Sequence, residues 1–332
     1  MSFSSSKVPE HIQKAIRNSI ENYKSSSDDN FYVDLLIAES CSTVQLPKCT
    51  VKFHSNNQGE IETQNEQGRF RTDIFAHSGD INSSISTWLL AVSNHSLTIN
   101  TLSISQEGTV DEKRISSLVE TLACACERYP NSIRATKLNI KMDMEEEHLI
   151  KVLSSFDSSI LEEILIISNV TDICGIARTE QWKKCKCLMI DKLNNIPVAE
   201  FFNAEQFSTT VEELGAEDAW RCVENFLSRD LPRESFFHIQ TMNPFDAPSV
   251  LAKIQCKTAS ESGFKISSKE VPINIGVEGF TSKFLHTFQF ELANPSLNLV
   301  VLIAENEISG SICHVDHVEE DCEMLFSEHL NR

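Results

Sequence analysis

Metal chemistry needs thiolates, imidazoles or carboxylates that converge on one point. The stretch Cys313-His314-Val315-Asp316-His317, followed by Cys322, carries all three types. On a strand His314 and His317 lie on opposite faces, whereas a helical turn brings them together. The alternation around them reads as a strand end, so a packed strand is preferred over a metal site, and zinc uptake by the folded chain decides between them. The pairs Cys124/Cys126 and Cys185/Cys187 have the wrong spacing, because structural zinc knuckles run C-x₂₋₄-C and need four ligands. Cys124 and Cys126 stand two apart on an expected helix and point different ways. Cys187 opens an apolar strand, where a thiol packs as a small hydrophobe.

Catalytic signatures are missing from the sequence. It holds no G-x-S-x-G elbow, no H-E-x-x-H, no phosphate-cradling G-x-x-x-x-G-K-[ST] and no G-x-G-x-x-G. We therefore expect no enzyme, no cofactor and no catalytic residue. Glu145-Glu146-Glu147 could form an acidic docking patch, but carboxylates in a first helical turn are stabilised by the macrodipole and face water. Trp220 lies on an apolar helical stripe and reads as core. Trp182, among Glu180, Lys183 and Lys184, reads equally as core or as an interface anchor.

Something must position these residues, and 332 residues with 41% hydrophobic content suffice for a substantial core. A net charge of −19 argues against nucleic acid or an anionic membrane as the main ligand, and it suits a partner that, if charged, is basic. Eleven cysteines lack the dense spacing of a secreted disulfide scaffold. The residues from Met1 to Pro9 contain no signal-like apolar run, and the longest strongly apolar run, Leu299 to Ala304, is far short of the ~20 residues that span a bilayer. An intracellular protein, cytoplasmic or nuclear, with reduced thiols is expected. The sequons at Asn82, Asn94 and Asn169 would then stay unmodified.

Ile12, Ala15, Ile16, Ile20 and Tyr23 predict a helix over 8–23. The period then changes to two, predicting strands at Tyr32–Ile37, Thr43–Leu46, Thr50–Phe53 and, after the turn Asn56-Asn57-Gln58-Gly59, Glu60–Thr63. From residue 85 helices and strands alternate: helix Ile85–Val92, strand Leu97–Ile104, a helical stripe from Ile115 to Ala123, strand Ala135–Ile140, a helix at Leu149–Phe156 and strand Leu161–Ile167. A weaker helix near Arg178–Lys184, strands at Cys187–Ile190 and Thr209–Glu212, a helix from Ala219 to Leu227 and strand Phe236–Ile239 follow. Strand starts recur every ~20–35 residues, a length typical of solenoids. The expected fold is α/β: an irregular leucine-rich-repeat-like arc of strand–helix units joined by right-handed crossovers. A doubly wound sheet competes, but no glycine-rich first turn supports it. β-rich modules close both ends, the second from Phe284–Glu291, Asn298–Ile303 and Ile308–Val315. The boundaries expected are 1–30 for the N-terminal helix, 31–105 for the entry module, 106–242 for the repeat region, 243–325 for the cap and 326–332 for a tail.

The run from Leu161-Glu162-Glu163-Ile164 through Glu180-Gln181-Trp182-Lys183, Pro197-Val198 and Phe201-Phe202 to Glu217-Asp218-Ala219 resembles the FTH domain of nematode proteins. That domain is also catalogued as a numbered domain of unknown function and occurs in the F-box A family. The core of the resemblance is 160–231, with looser agreement from about 30 to 315. In that family an F-box precedes the domain and docks on a Skp1-type adaptor of a cullin ubiquitin ligase, while the FTH region is thought to hold the target. Here only the helix at Val8–Tyr23 is similar to the end of an F-box. A lone helix cannot build its own apolar core, so adaptor docking is not expected of it.

The repeated units, the missing motifs and the resemblance together point to a non-enzymatic intracellular module that binds another protein, and the negative charge argues against nucleic acid or membrane as ligand. Its binding residues are unassigned by sequence. The alternatives are a complete ligase receptor whose F-box is missing from this sequence, an enzyme or metal protein on the same scaffold, and a folded relic.

Overall fold

Helix α1 (Glu10–Lys24) opens the described chain and buries Ile12, Ile16 and Ile20, the stripe expected from its spacing. The computed structural model describes residues 8–24, 30–65, 67–93, 97–244, 246, 248–253, 266–267, 286–318 and 320–322. The expected tail 326–332, the sequon at Asn94 and most of 254–285 lie outside them. The chain divides into two compact units, Met1–Cys185 and Lys186–Arg332.

The first unit contains β1 (Tyr32–Ile37), β2 (Cys41–Leu46), β3 (Cys49–His54), β4 (Gln58–Gln64), β5 (Phe70–Ala76), α2 (Asp80–Val92), β6 (Ile99–Gln106), α3 (Glu112–Cys126), β7 (Ala135–Lys141), α4 (Glu146–Leu153), β8 (Glu163–Ile167) and α5 (Glu180–Lys184). A 3₁₀ turn, Cys174–Arg178, precedes α5. The strand order is β8-β7-β6-β1-β2-β3-β4-β5. β8, β7, β6 and β1 run parallel, and β1 to β5 form an antiparallel meander.

Two-residue alternation sends Val33, Leu35, Val44, Val51, Phe53, Leu102, Ile104, Leu138 and Ile164 to one buried face. Helices α1 to α4 touch one another in chain order over that face, with α2 packing on β1, β2 and β3. Local chemistry starts the helices where the sequence allows: the Asp111 side chain accepts the Lys113 N–H ahead of α3, and Thr179 accepts that of Trp182 ahead of α5. Asp80 in the first turn of α2 pairs with Arg114 of α3. That guanidinium also donates to the Ala38 carbonyl and to Ser42 Oγ, both at 3.1 Å, so two helices are fixed to the β1–β2 turn.

The second unit contains β9 (Cys187–Leu193), a 3₁₀ turn at Val198–Phe201, β10 (Gln206–Val211), α6 (Ala216–Ser228), β11 (Phe236–Thr241), β12 (Ile266–Ser267), β13 (His286–Glu291), β14 (Leu297–Ile303) and β15 (Glu307–His314). β9, β10 and β11 are parallel neighbours in chain order, and β11, β15, β14, β13 and β12 continue antiparallel. Phe207, Phe226 and Phe237 pack together, with ring centroids 5.0–6.3 Å apart, joining α6 to the sheet. The hairpin expected between Asn298–Ile303 and Ile308–Val315 is present in register.

The fold is mixed α/β, as the sequence implies. The alternation of elements from 85 to 239 is observed, and α2 begins earlier than expected, at Asp80; further differences are these. The weak helix near 178–184 is a 3₁₀ turn followed by a single α-helical turn. The helix expected over Leu149–Phe156 begins earlier, at Glu146. A fifth meander strand, β5, had no expectation at all.

Candidate protein-interaction surface

Alternation that buries one face of the first unit's sheet leaves the other face polar. Reading across the register, one row runs Asn139, Ser103, Asp34, Gln45, Thr50 and Glu62, and the next runs Lys141, Ser105, Leu36, Thr43, Lys52 and Glu60. All but Thr43 are half-buried or exposed. A groove of 510 Å³ lies on this face, lined by Leu36, Cys41, Thr43, Gln45, Thr50, Lys52, His54, Glu60, Glu62, Thr72 and Glu107.

Its charge is asymmetric. Lys52 stands against Glu60, Glu62 and Glu107, and His54 Nε2 lies 3.6 Å from the Glu60 carboxylate. Further along, Lys137 pairs with Glu163 at 2.7 Å. Burial raises the Asp34 carboxyl above its ordinary range, while a hydrogen bond with Ser103 and the charge of Lys141 oppose the rise. The surface therefore offers hydroxyl, amide and carboxylate partners to a ligand.

The residues singled out by sequence fall mostly into packing. Cys313 and Cys322 are buried with their sulfurs 3.7 Å apart, and the bond from Cys322 lowers the Cys313 thiol below its ordinary value in spite of burial. β15 ends at His314, and the His314 and His317 rings come within 5.4 Å through the following turn. His314 and His317 do not join the two thiols in a ligand cluster among the described residues. Instead Asp321 is buried there, accepting the His314 N–H and the Arg233 guanidinium. Burial pushes its carboxyl up, but those donors hold it below the usual range.

Cys124 is exposed on α3 and Cys126 buried, so the two do point apart, and burial pushes the Cys126 thiol up to about 12. Cys185 and Cys187 are each buried, and Cys185 Sγ donates to the Glu162 carbonyl. Trp220 is in the core as expected. Trp182, read evenly between core and interface, is also fully buried, which removes it as an exposed anchor.

The acidic run resolves differently from a patch. Glu145 and Glu147 are exposed, but the Glu146 carboxylate accepts the Gly175 N–H and sits where a Cβ on Gly175 would be. Glu146, Asp172 and Cys174 have ligand atoms within 4.8 Å of one another, the one such set among the described residues. Because Glu146 is engaged in joining α4 to the 3₁₀ turn, the set reads as a clamp. The marks that carry the resemblance are structural too. Gln181 donates to the Phe156 carbonyl at 2.7 Å, Phe201 is buried beneath α6, and Glu217 and Asp218 occupy the first turn of α6. Sequence reasoning missed Arg229, whose guanidinium donates to the carbonyls of Phe202, Asn203 and Ala204. No spacing rule signals such a long-range cap.

A mixed α/β scaffold, whose first unit has one helix-covered and one open sheet face, defines the class. Within it, residues 117–253 match the family model of the FTH domain, so the resemblance read from 160–231 falls inside the matched stretch. No curated protein and no solved structure matches the chain significantly. Among the described residues no helix is long and apolar enough to cross a membrane.

Proposed function

We propose that the chain is a non-enzymatic protein-binding module that holds a basic, extended segment of another protein on the open sheet face of the Met1–Cys185 unit. The observation that carries this reading is the 510 Å³ groove with three carboxylates to one ammonium. An uncovered sheet face offers its side chains at two-residue spacing, which suits an extended chain, and the carboxylates steer cations. β7 and β8 extend the same face into the FTH match through Lys137, Asn139 and Glu163.

This reading treats the parallel strands, in chain order within each unit, as segments of an irregular leucine-rich-repeat-like arc. By the family resemblance, it assigns the chain the target-holding role of a ubiquitin-ligase receptor. A Skp1-type adaptor pull-down separates a complete receptor from a binding module alone: retention of the adaptor supports the former. Selection from a random peptide library tests the groove. Enriched peptides should carry net positive charge, and Glu60→Lys with Glu62→Lys should weaken them at least about tenfold, roughly 1.4 kcal/mol. Peptides without charge bias, or binding indifferent to the double change, would refute the reading.

A further inference from the structure

β5 is the outermost strand of the first unit's sheet, paired with β4 along its whole length without a register shift. Its hydrogen-bonding parity follows from the hairpin. Asn65 donates to the Arg69 carbonyl at one end and His77 donates to that of Asn57 at the other. Bonded pairs alternate along an antiparallel ladder, so Arg71, Asp73 and Phe75 direct their backbone groups toward β4. Phe70, Thr72 and Ile74 direct theirs outward, with no partner among the described residues. Phe70 and Ile74 are also the most exposed large hydrophobics described, at 66% and 68%. A long edge with apolar side chains and neither proline nor bulge is a template for another strand.

The sequence of this edge also names the strand. Phe70-Arg71-Thr72-Asp73-Ile74 reads apolar, basic, hydroxyl, acidic, apolar, and it is complementary to its own reverse. We propose that β5 pairs antiparallel with β5 of a second copy of this chain, forming a two-fold dimer centred on Thr72. In that register Phe70 of each chain lies opposite Ile74 of the other. Thr72 faces its own counterpart, and each of these pairs exchanges two backbone hydrogen bonds. Arg71 of each chain opposes Asp73 of the other. Such non-hydrogen-bonded pairs bring side chains closest, and opposite charges there are stabilising. Arg71 and Asp73 of each chain are already paired with each other at 3.0 Å on the surface, so dimerisation exchanges two intrachain contacts for two across the axis. Thr72 also lines the groove, but the dimer uses its backbone edge and the charges of Arg71 and Asp73. The proposed function uses the carboxylates of Glu60, Glu62 and Glu107, so charge changes at one leave the other's charged groups in place.

Sedimentation equilibrium of the full chain over a dilution series tests the dimer. The mass should rise to twice that of one chain and stop there. Thr72→Pro removes an outward N–H and leaves the β4 ladder intact, so it should yield a monomer with unchanged far-UV circular dichroism. Arg71→Asp or Asp73→Arg alone places like charges at two symmetric positions and should weaken the dimer about tenfold or more. The two changes combined restore complementarity and should restore the dimer. A monomer at every concentration, growth beyond two chains, a Thr72→Pro dimer, or no rescue by the double exchange would each overturn the proposal.

Discussion

His238 lies on β11 with Nδ1 2.8 Å from Ser309 Oγ, and burial drives its imidazole down to about 4. The unfolded value is about 6.5, so folding favours the neutral ring. A depressed folded value gives stability that is fully present above about pH 6.5 and is lost as pH falls toward 4. The difference of about 2.5 units corresponds to roughly 3 kcal/mol at most. Urea unfolding between pH 7 and 4 should show this decline, and His238→Asn should flatten most of it. Asp321 loses its contribution in a lower window, because its carboxyl is held below the ordinary carboxylate range. A slope unaffected by His238→Asn would mean that other groups carry the acid sensitivity.

Glycine under an aromatic ring is the device that lets two strands of this molecule approach. Gly310 of β15 faces Phe237 of β11, and Gly59 of β4 faces Phe75 of β5, in both cases where a Cβ would land on the ring. The two rings differ in freedom. Phe237 is fully buried against Phe207 and Phe226, whereas Phe75 is half-exposed beside Phe53 and His11. Gly310→Ala should therefore destabilise by about 1–3 kcal/mol, and Gly59→Ala by clearly less, as read by thermal unfolding. Equal losses would contradict this account. The same contrast explains what sequence could reveal. Strands with one buried face, such as Tyr32–Ile37 and Ala135–Lys141, leave an alternating trace, and helices such as α6 leave a stripe. β5 buries almost nothing, so no selection for alternation marks it. Trp182 was ambiguous because its sequence neighbours Glu180, Lys183 and Lys184 point outward while it points in. The groove leaves no trace in sequence for another reason: its residues come from β1 to β5 and from Glu107 just after β6, and they acquire meaning only through register.

At the scale of the whole chain, the net charge of −19 sets opposite salt responses for the two proposed contacts. A basic segment approaching the groove meets an attractive field, and salt screens it over a Debye length of about 8–10 Å. Its affinity should fall as ionic strength rises. Two copies meeting at β5 carry the same large negative charge and repel at long range. Among the paired charges only the exposed Arg71–Asp73 contacts are attractive, and exposed pairs contribute about 0–1 kcal/mol each. Screening removes more repulsion than attraction, so dimerisation should strengthen with salt. Measuring both constants on one preparation, at low and at physiological ionic strength, separates the contacts without any substitution. If both weaken together, the dimer is held by charge rather than by the strand edge, and the backbone pairing inferred for Phe70, Thr72 and Ile74 is wrong.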